Sequence, residues 1–463
     1  MEPYKLTLTE AAAAIKKKEL SPLELTESSL TRLEEVEGRI QAFATVTADI
    51  ALARASAAGD EIAAGHYRGA LHGIPVGVKD IYDTAGIRTS SGSRVQANRV
   101  PDRDSAVVAS LGQAGMIMIG KTRTHEFAFG TTTPPARNPW DTSKIPGGSS
   151  GGSGAAVASG SCHVATGSDT GGSTRTPAAL CGTVGLKPTY GRVSRFGITP
   201  LAWSLDHAGV LTRNVTDAAL VLNAIAGYDP RDPGSANVPV PDFTADLEKG
   251  VKGMMVGIPK NFFTRNIHPE VAAAVAEAAG ILEDLGAEPA EVEIPFEEEI
   301  LAVEWGILMP EASAYHRRSI GETPELYTPE VRRLLEVGQT ILATDYIDAL
   351  RVRRLIQQAW KSIYQNIRVL IAPATVAPAA PVGDPDFRWP DGSVEGVGDA
   401  YVRMAAPANL TGLPAISVPC GFSNAGLPLG LQIIGRPFDE STVLSVARAY
   451  EKATNHVGNI APS

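Results

Sequence analysis

Ser149 in PGGSSGGS, Ser173 in GSDTGGSTRTPA and Lys79 in GIPVGVKD are the residues whose types and settings offer chemistry. A serine hydroxyl is a weak nucleophile until a base takes its proton. Histidine is the common base, but His163, His207, His268, His316 and His456 share no sequence context and read as surface or satisfied residues. That leaves a lysine whose charged form is disfavoured by burial. Lys79 ends an apolar run flanked by glycines, a setting that directs a long side chain into the protein; the alternative is a lysine paired with Asp80 or Asp83. Gly171 and Gly172 precede Ser173 and let the backbone N–H groups of Thr170, Gly171, Gly172 and Ser173 point at one spot, as stabilising a tetrahedral oxyanion requires. Asp169 and Arg175 are placed to hold that loop by a buried ion pair.

Ser149, Ser173, Asp169 and Arg175 lie in an unusually Gly/Ser-rich stretch, residues 145 to 178, and Lys79 lies outside it. A flexible linker has that composition but is polar throughout. Here AAVASGSCHVAT, residues 155 to 166, puts Ala and Val between the glycine clusters, so a tightly packed helix or strand is expected beneath structured loops. Two other motifs fail on context. GMIMIGKT, residues 115 to 122, spells the phosphate-binding G-x-x-x-x-G-K-[ST] pattern, yet its middle residues read as a strand where that loop needs to open a helix. GGSSG, residues 147 to 151, spells the nucleophile elbow of a Ser-His-Asp hydrolase, but Pro146 and WDTSK make a poor preceding strand.

The 463-residue chain has a globular composition, 44% hydrophobic and 20% charged. Its net charge of −10 and the lack of clustered Lys and Arg exclude a broad nucleic-acid-binding surface. Cys162, Cys181 and Cys420 are too few for a disulfide framework and include no C-x-x-C pair, so they are read as reduced and mostly buried, with no metal site. No signal-like start or membrane-length apolar run is seen, and a cytoplasmic protein without membrane contact is expected.

Two N-terminal helices are expected, the first capped by Thr9 and the second by Ser21 with Pro22 and Glu24, ending near Gly38. Helical patterns recur at VTDAALVLNAIAG, HPEVAAAVAEAAGILEDLGA and TDYIDALRVRRLIQQAWKSIYQNI, and a last helix surrounds STVLSVARAYEKAT. GMMVGIP, AEPAEVEIP, VLIAPAT, AISVPCG and LGLQIIG read as strands. Strands alternating with helices indicate an α/β protein with a covered sheet. The Pro-rich residues 372 to 392 are expected to form a loop near the sheet's edge.

GIPVGVKD, PGGSSGGS and GSDTGGSTRTPA, in that order and with Ser149 and Ser173 24 positions apart, resemble the signature of the amidase signature family. GLKPTYGRVSRFGITPLAWSLDHAG and NLTGLPAISVPCG extend the similarity over most of the chain. The resemblance implies one α/β/α domain over residues 1–463, with a large mixed twisted sheet covered by helices on both faces. Within it fall an N-terminal helical segment (1–65), a catalytic core (70–220), a helical substrate-side region (250–370) and the C-terminal part of the sheet (371–463). It further implies a Ser-cisSer-Lys triad: Ser173 as nucleophile, Ser149 as bridge through a cis bond to Gly148, and Lys79 as base, with Gly148 and Ser150 supporting the loop. No metal or organic cofactor is required by that chemistry.

The expected substrates are small, fairly apolar amides or anilides, with esters and carbamates, including urethanes, as extensions of the same reaction. The alternative is the glutaminase subunit of a tRNA-dependent transamidation complex, suggested by THEFAFGTT at 124 to 132. Against it stand the acidic charge and an end soon after ARAYEKAT, without the extended tail expected there. Phe129, Trp203, Trp305 and Met309 are candidates for an apolar acyl pocket, with ordinary core positions as the alternative for each. The two N-terminal helices are a candidate homodimer contact.

Overall fold

The computed structural model describes residues 2–462. Its strands are β1 (Phe43–Val46), β2 (Pro75–Lys79), β3 (Ile117–Thr122), β4 (Val164–Asp169), β5 (Val184–Lys187), β6 (His207–Thr212), β7 (Met255–Pro259), β8 (Glu288–Val292), β9 (Val369–Pro373), β10 (Asp386–Arg388), β11 (Val394–Gly396), β12 (Ala415–Phe422) and β13 (Pro428–Gly435). Eleven of them form one sheet in the order β1-β3-β2-β4-β6-β5-β12-β13-β9-β7-β8, and β10 and β11 form a separate ribbon. Pairing is parallel for β3-β2-β4 and β9-β7-β8 and antiparallel elsewhere, so the sheet is mixed.

Alternation along the strands divides the core into two layers. Val164 belongs to one apolar cluster and Ala165 to the other, as Met118 and Ile119 do on β3. Successive strand side chains point to opposite faces, so helices cover both sides of the sheet. The GKT of residues 115 to 122 lies on β3, in strand conformation.

Both N-terminal helices begin with reciprocal caps. Ser21 and Glu24 cap Pro22–Ile40, but the first helix, Leu8–Lys16, is capped by Thr7 with Glu10 and not by Thr9. The Thr9 hydroxyl donates instead to Asp217 Oδ1 at 2.6 Å, because the Thr7–Glu10 pair satisfies the open N–H groups one residue pair earlier. Leu8, Ala11 and Ile15 of this helix are buried in the chain's own core. The Pro-rich residues 372 to 392 also depart from expectation. They contain β10, and they leave β9, which lies inside the sheet between β13 and β7 and not at its edge.

The arrangement that matters for the site is the parallel pairing of β2 with β4, with Val76 opposite Val164 and Gly77 opposite Ala165. It carries Lys79 at the end of β2 to the same sheet edge as Ser168 and Asp169 at the end of β4. Carboxyl ends of adjacent parallel strands are where open α/β sheets collect functional groups.

Candidate active site

Lys79 is completely buried, and its Nζ lies 2.8 Å from the hydroxyls of Ser149, Ser150 and Ser168. It makes no ion pair with Asp80, whose carboxylate accepts from the backbone and side chain of Ser90 instead. Asp83 pairs with Arg99. Burial pulls the Lys79 amine well below the ordinary lysine value, against the opposing charges of Asp169 and Asp206. A neutral amine has two N–H donors and one lone pair, and three hydroxyls match that set. The Ser150 hydroxyl donates toward the Ser168 carbonyl at 3.4 Å, which leaves Ser149 or Ser168 to donate to the lone pair.

Ser149 sits in a loop that leads into the helix Gly151–Ala158, and the Gly148–Ser149 peptide is cis. Its carbonyl accepts from His125 N at 3.0 Å and Thr133 Oγ1 at 3.2 Å. Gly148 is a glycine because a Cβ there would stand 2.6 Å from the Thr131 carbonyl carbon. The Ser150 N–H donates to the Ser173 carbonyl at 3.2 Å, which stitches the two serine loops together.

The second loop is organised from inside by Asp169. Its carboxylate accepts from the N–H groups of Gly172, Thr174 and Arg175, from the Arg175 guanidinium at 2.8 and 3.0 Å, and from Asn409 at 2.9 Å. Burial alone would raise this carboxyl, but Arg175 holds it well below the usual carboxylate range. Arg175 is itself fully buried and also donates to the Ala405 carbonyl, Asn409 and Gln432. Gly172 takes φ +104°, and a Cβ there would be 2.5 Å from that of Ala405. Its N–H is used by Asp169, whereas those of Thr170, Gly171 and Ser173 make no hydrogen bond among the described residues. Three neighbouring backbone donors thus remain free beside Ser173, which is 7% exposed.

A cavity of about 490 Å³ reaches this edge at Ser168 and Thr170 and is walled by Ile198, Leu201, Trp203 and Asp206. Asp206 ties its wall to the loop, accepting from Thr170 Oγ1 at 2.7 Å and from the N–H groups of Leu201 and Ala202. Trp203 lines this cavity. Phe129 is buried in the main core, Trp305 donates to Asp399 at 3.0 Å, and Met309 packs half-buried against the core. Ser168, Asp206, Asn409 and Gln432 were not identified from the sequence. The only advance signal for Asn409 was its place in the NLTG stretch. Among the described residues no cluster of His, Cys, Asp and Glu could hold a metal ion, and no helix is long and apolar enough to cross a membrane.

Comparison with known proteins defines the class that this fold and site represent. The Amidase family profile matches residues 24–444, and the chain belongs to that family, the amidase signature enzymes, which hydrolyse amide bonds. It is 49% identical to an amidase of Pseudomonas putida over 97% of this chain and 96% of that protein. It is also 43% identical to a subunit of the glutamyl-tRNA(Gln) amidotransferase of Geobacter sp. strain M21, over 98% of both. A bacterial aryl acylamidase of the amidase signature family superposes with a TM-score of 0.89 at 26% identity, over 97% of this chain and 96% of that one.

Proposed function

We propose that this enzyme hydrolyses small, fairly apolar amides and anilides through an acyl-enzyme on Ser173. The observation that carries the reading is the buried Lys79 amine 2.8 Å from the Ser149 hydroxyl, with the Ser149 loop joined to the Ser173 loop. Neutral Lys79 takes the Ser149 proton as Ser149 takes that of Ser173, and Ser173 Oγ attacks the carbonyl carbon. The negative oxygen of the tetrahedral intermediate is received by the N–H groups of Thr170, Gly171 and Ser173, while Gly172 serves the loop through Asp169. The C–N bond breaks as the proton returns through Ser149 to the departing nitrogen. Water then gives up a proton to the same relay and releases the acid. The same steps cleave esters and carbamates, the bond of urethanes.

The largely apolar cavity beside Thr170 supports an aromatic or alkyl leaving amine. The test is release of the aromatic amine from a neutral chromogenic anilide, with ammonia release from glutamine measured in parallel. Anilide turnover without glutaminase activity supports the stand-alone reading. Glutamine turnover without anilide cleavage transfers it to the amidotransferase function named for the Geobacter relative, which resembles this chain over nearly its full length.

A proton on Lys79 blocks the relay, so kcat/KM is expected to fall about tenfold per pH unit below the lowered Lys79 value and to level off above it. Asp206, which burial pushes up to about 6, is a second nearby group that could produce an acidic limb. A pH series on wild type, Lys79→Ala and Asp206→Asn assigns the limb. It is expected to survive in Asp206→Asn and vanish from the residual rate of Lys79→Ala.

A further inference from the structure

Glu304, on the helix Ile300–Glu322, is fully buried, and neither carboxyl oxygen has a hydrogen-bond partner among the described residues. Buried polar groups are rarely left so, because desolvation then goes uncompensated. The charges around it are already engaged. Arg353 donates to the Leu410 carbonyl and to the hydroxyl and carbonyl of Ser204, and Arg175 is held by Asp169 and Asn409. Glu311 accepts from Ser204 and Tyr346.

The carboxyl is also aimed at the reacting edge. Glu304 Oε1 lies 3.3 Å from where a Cβ on Gly171 would stand, and Val402 Cγ1 lies 3.2 Å from the same point. The Gly171 N–H, one of the three free donors, belongs to the same residue. The cavity reaches this loop at Thr170 and opens past Trp203, which is 62% exposed, and Glu304 and Val402 lie against the next residue, Gly171, outside the cavity lining. The amine must leave and water must enter while the acyl group stays bound, so the open cavity suits the amine and the buried Glu304 side the acyl part.

We propose that Glu304 determines specificity, its carboxyl pairing with an uncharged hydrogen-bonding group, such as a second amide, on the acyl side of the substrate. Burial raises this carboxyl well above the ordinary glutamate value, so it offers one O–H donor and one carbonyl acceptor, the complement of an amide. A cationic acyl group is disfavoured, because it would meet the guanidinium charges of Arg353 and Arg175. The inference rests on Ser173 being the nucleophile.

The experiment compares two 4-nitroanilides, of butyric acid and of succinamic acid, which differ in a terminal methyl or primary amide. Wild type is expected to favour the amide-bearing substrate by about tenfold or more in kcat/KM. Glu304→Gln, which keeps one donor and one acceptor, retains the preference. Glu304→Met, an unbranched side chain of similar volume, brings the ratio to near unity and raises the unfolding temperature, because an unpaired buried carboxyl is gone. Equal rates in wild type, an unchanged ratio in Glu304→Met, a lowered unfolding temperature in that variant, or no cleavage of either anilide overturns the proposal. Cleavage of both anilides at wild-type rates by Ser173→Ala instead overturns the nucleophile assignment beneath it.

Discussion

Replacing Ser173 with alanine is expected to lower kcat/KM on a cleaved anilide by roughly 10⁴-fold or more, the scale on which removal of an attacking hydroxyl acts. The fold is expected to keep its stability to within about 0.5 kcal/mol. The reason lies in which atoms hold the loop. Ser173 enters the structure through its carbonyl, which receives the Ser150 N–H at 3.2 Å, and alanine keeps that carbonyl. Asp169 fixes the flanking residues through the N–H groups of Gly172, Thr174 and Arg175, and these too survive the substitution. Paired measurements of turnover and urea unfolding check the result. A Ser173→Ala protein that is active, or one that is inactive only because it unfolds, contradicts the assignment.

Asp169→Asn is expected to act the other way, through structure first. Asp169 and Arg175 are both fully buried, 2.8 Å apart, with no solvent to take over if one charge is lost. Removing one partner of such a pair leaves the other uncompensated, at a cost of about 3–5 kcal/mol. The asparagine also cannot accept from all the donors that the carboxylate serves. The urea midpoint is therefore expected to drop with Asp169→Asn, and activity to drop with it as the donors beside Ser173 lose their alignment. The pH dependence follows the same pair. Because the folded-state carboxyl titrates below the ordinary value of 3.8, its stabilisation is complete above that pH and is lost as pH falls toward the lowered folded value. Unfolding curves taken downward from pH 5 should show this loss in wild type and a flatter profile in Asp169→Asn. An unchanged urea midpoint in the variant contradicts the role given to the pair.

The two serine loops also show why glycine stands at particular positions in residues 145 to 178. Gly148 passes against Thr131, and Gly172 turns at positive φ against Ala405, each leaving no room for a side chain. A linker would meet no such neighbours.

What the sequence determined by itself is what short-range chemistry decides. Capping pairs such as Ser21 with Glu24 and the apolar runs of β2, β3 and β4 all act within a few residues. Lys79 and Ser173 stand out by residue type and immediate setting, whereas Ser149 takes its proposed place only through the resemblance of the three motifs to the amidase signature. The cap falls on Thr7 and not on Thr9 because Glu10 completes the reciprocal pair with Thr7, and Thr9, inside the helix, gives its hydroxyl to Asp217, 208 residues away.

Only the tertiary structure decided which groups meet. Ser168 reaches Lys79 across 89 residues, and Asn409 reaches Asp169 across 240. Neither has a local pattern that marks its partner. Sheet order is a long-range matter as well. It set β9 in the interior, brought β2 beside β4, and, with the helix Ile300–Glu322 packed over Gly171, left the Glu304 carboxyl buried without a partner. Local propensity selects elements, whereas burial, charge compensation and a free N–H group are properties of the space between elements, which exists only once the chain has closed around it.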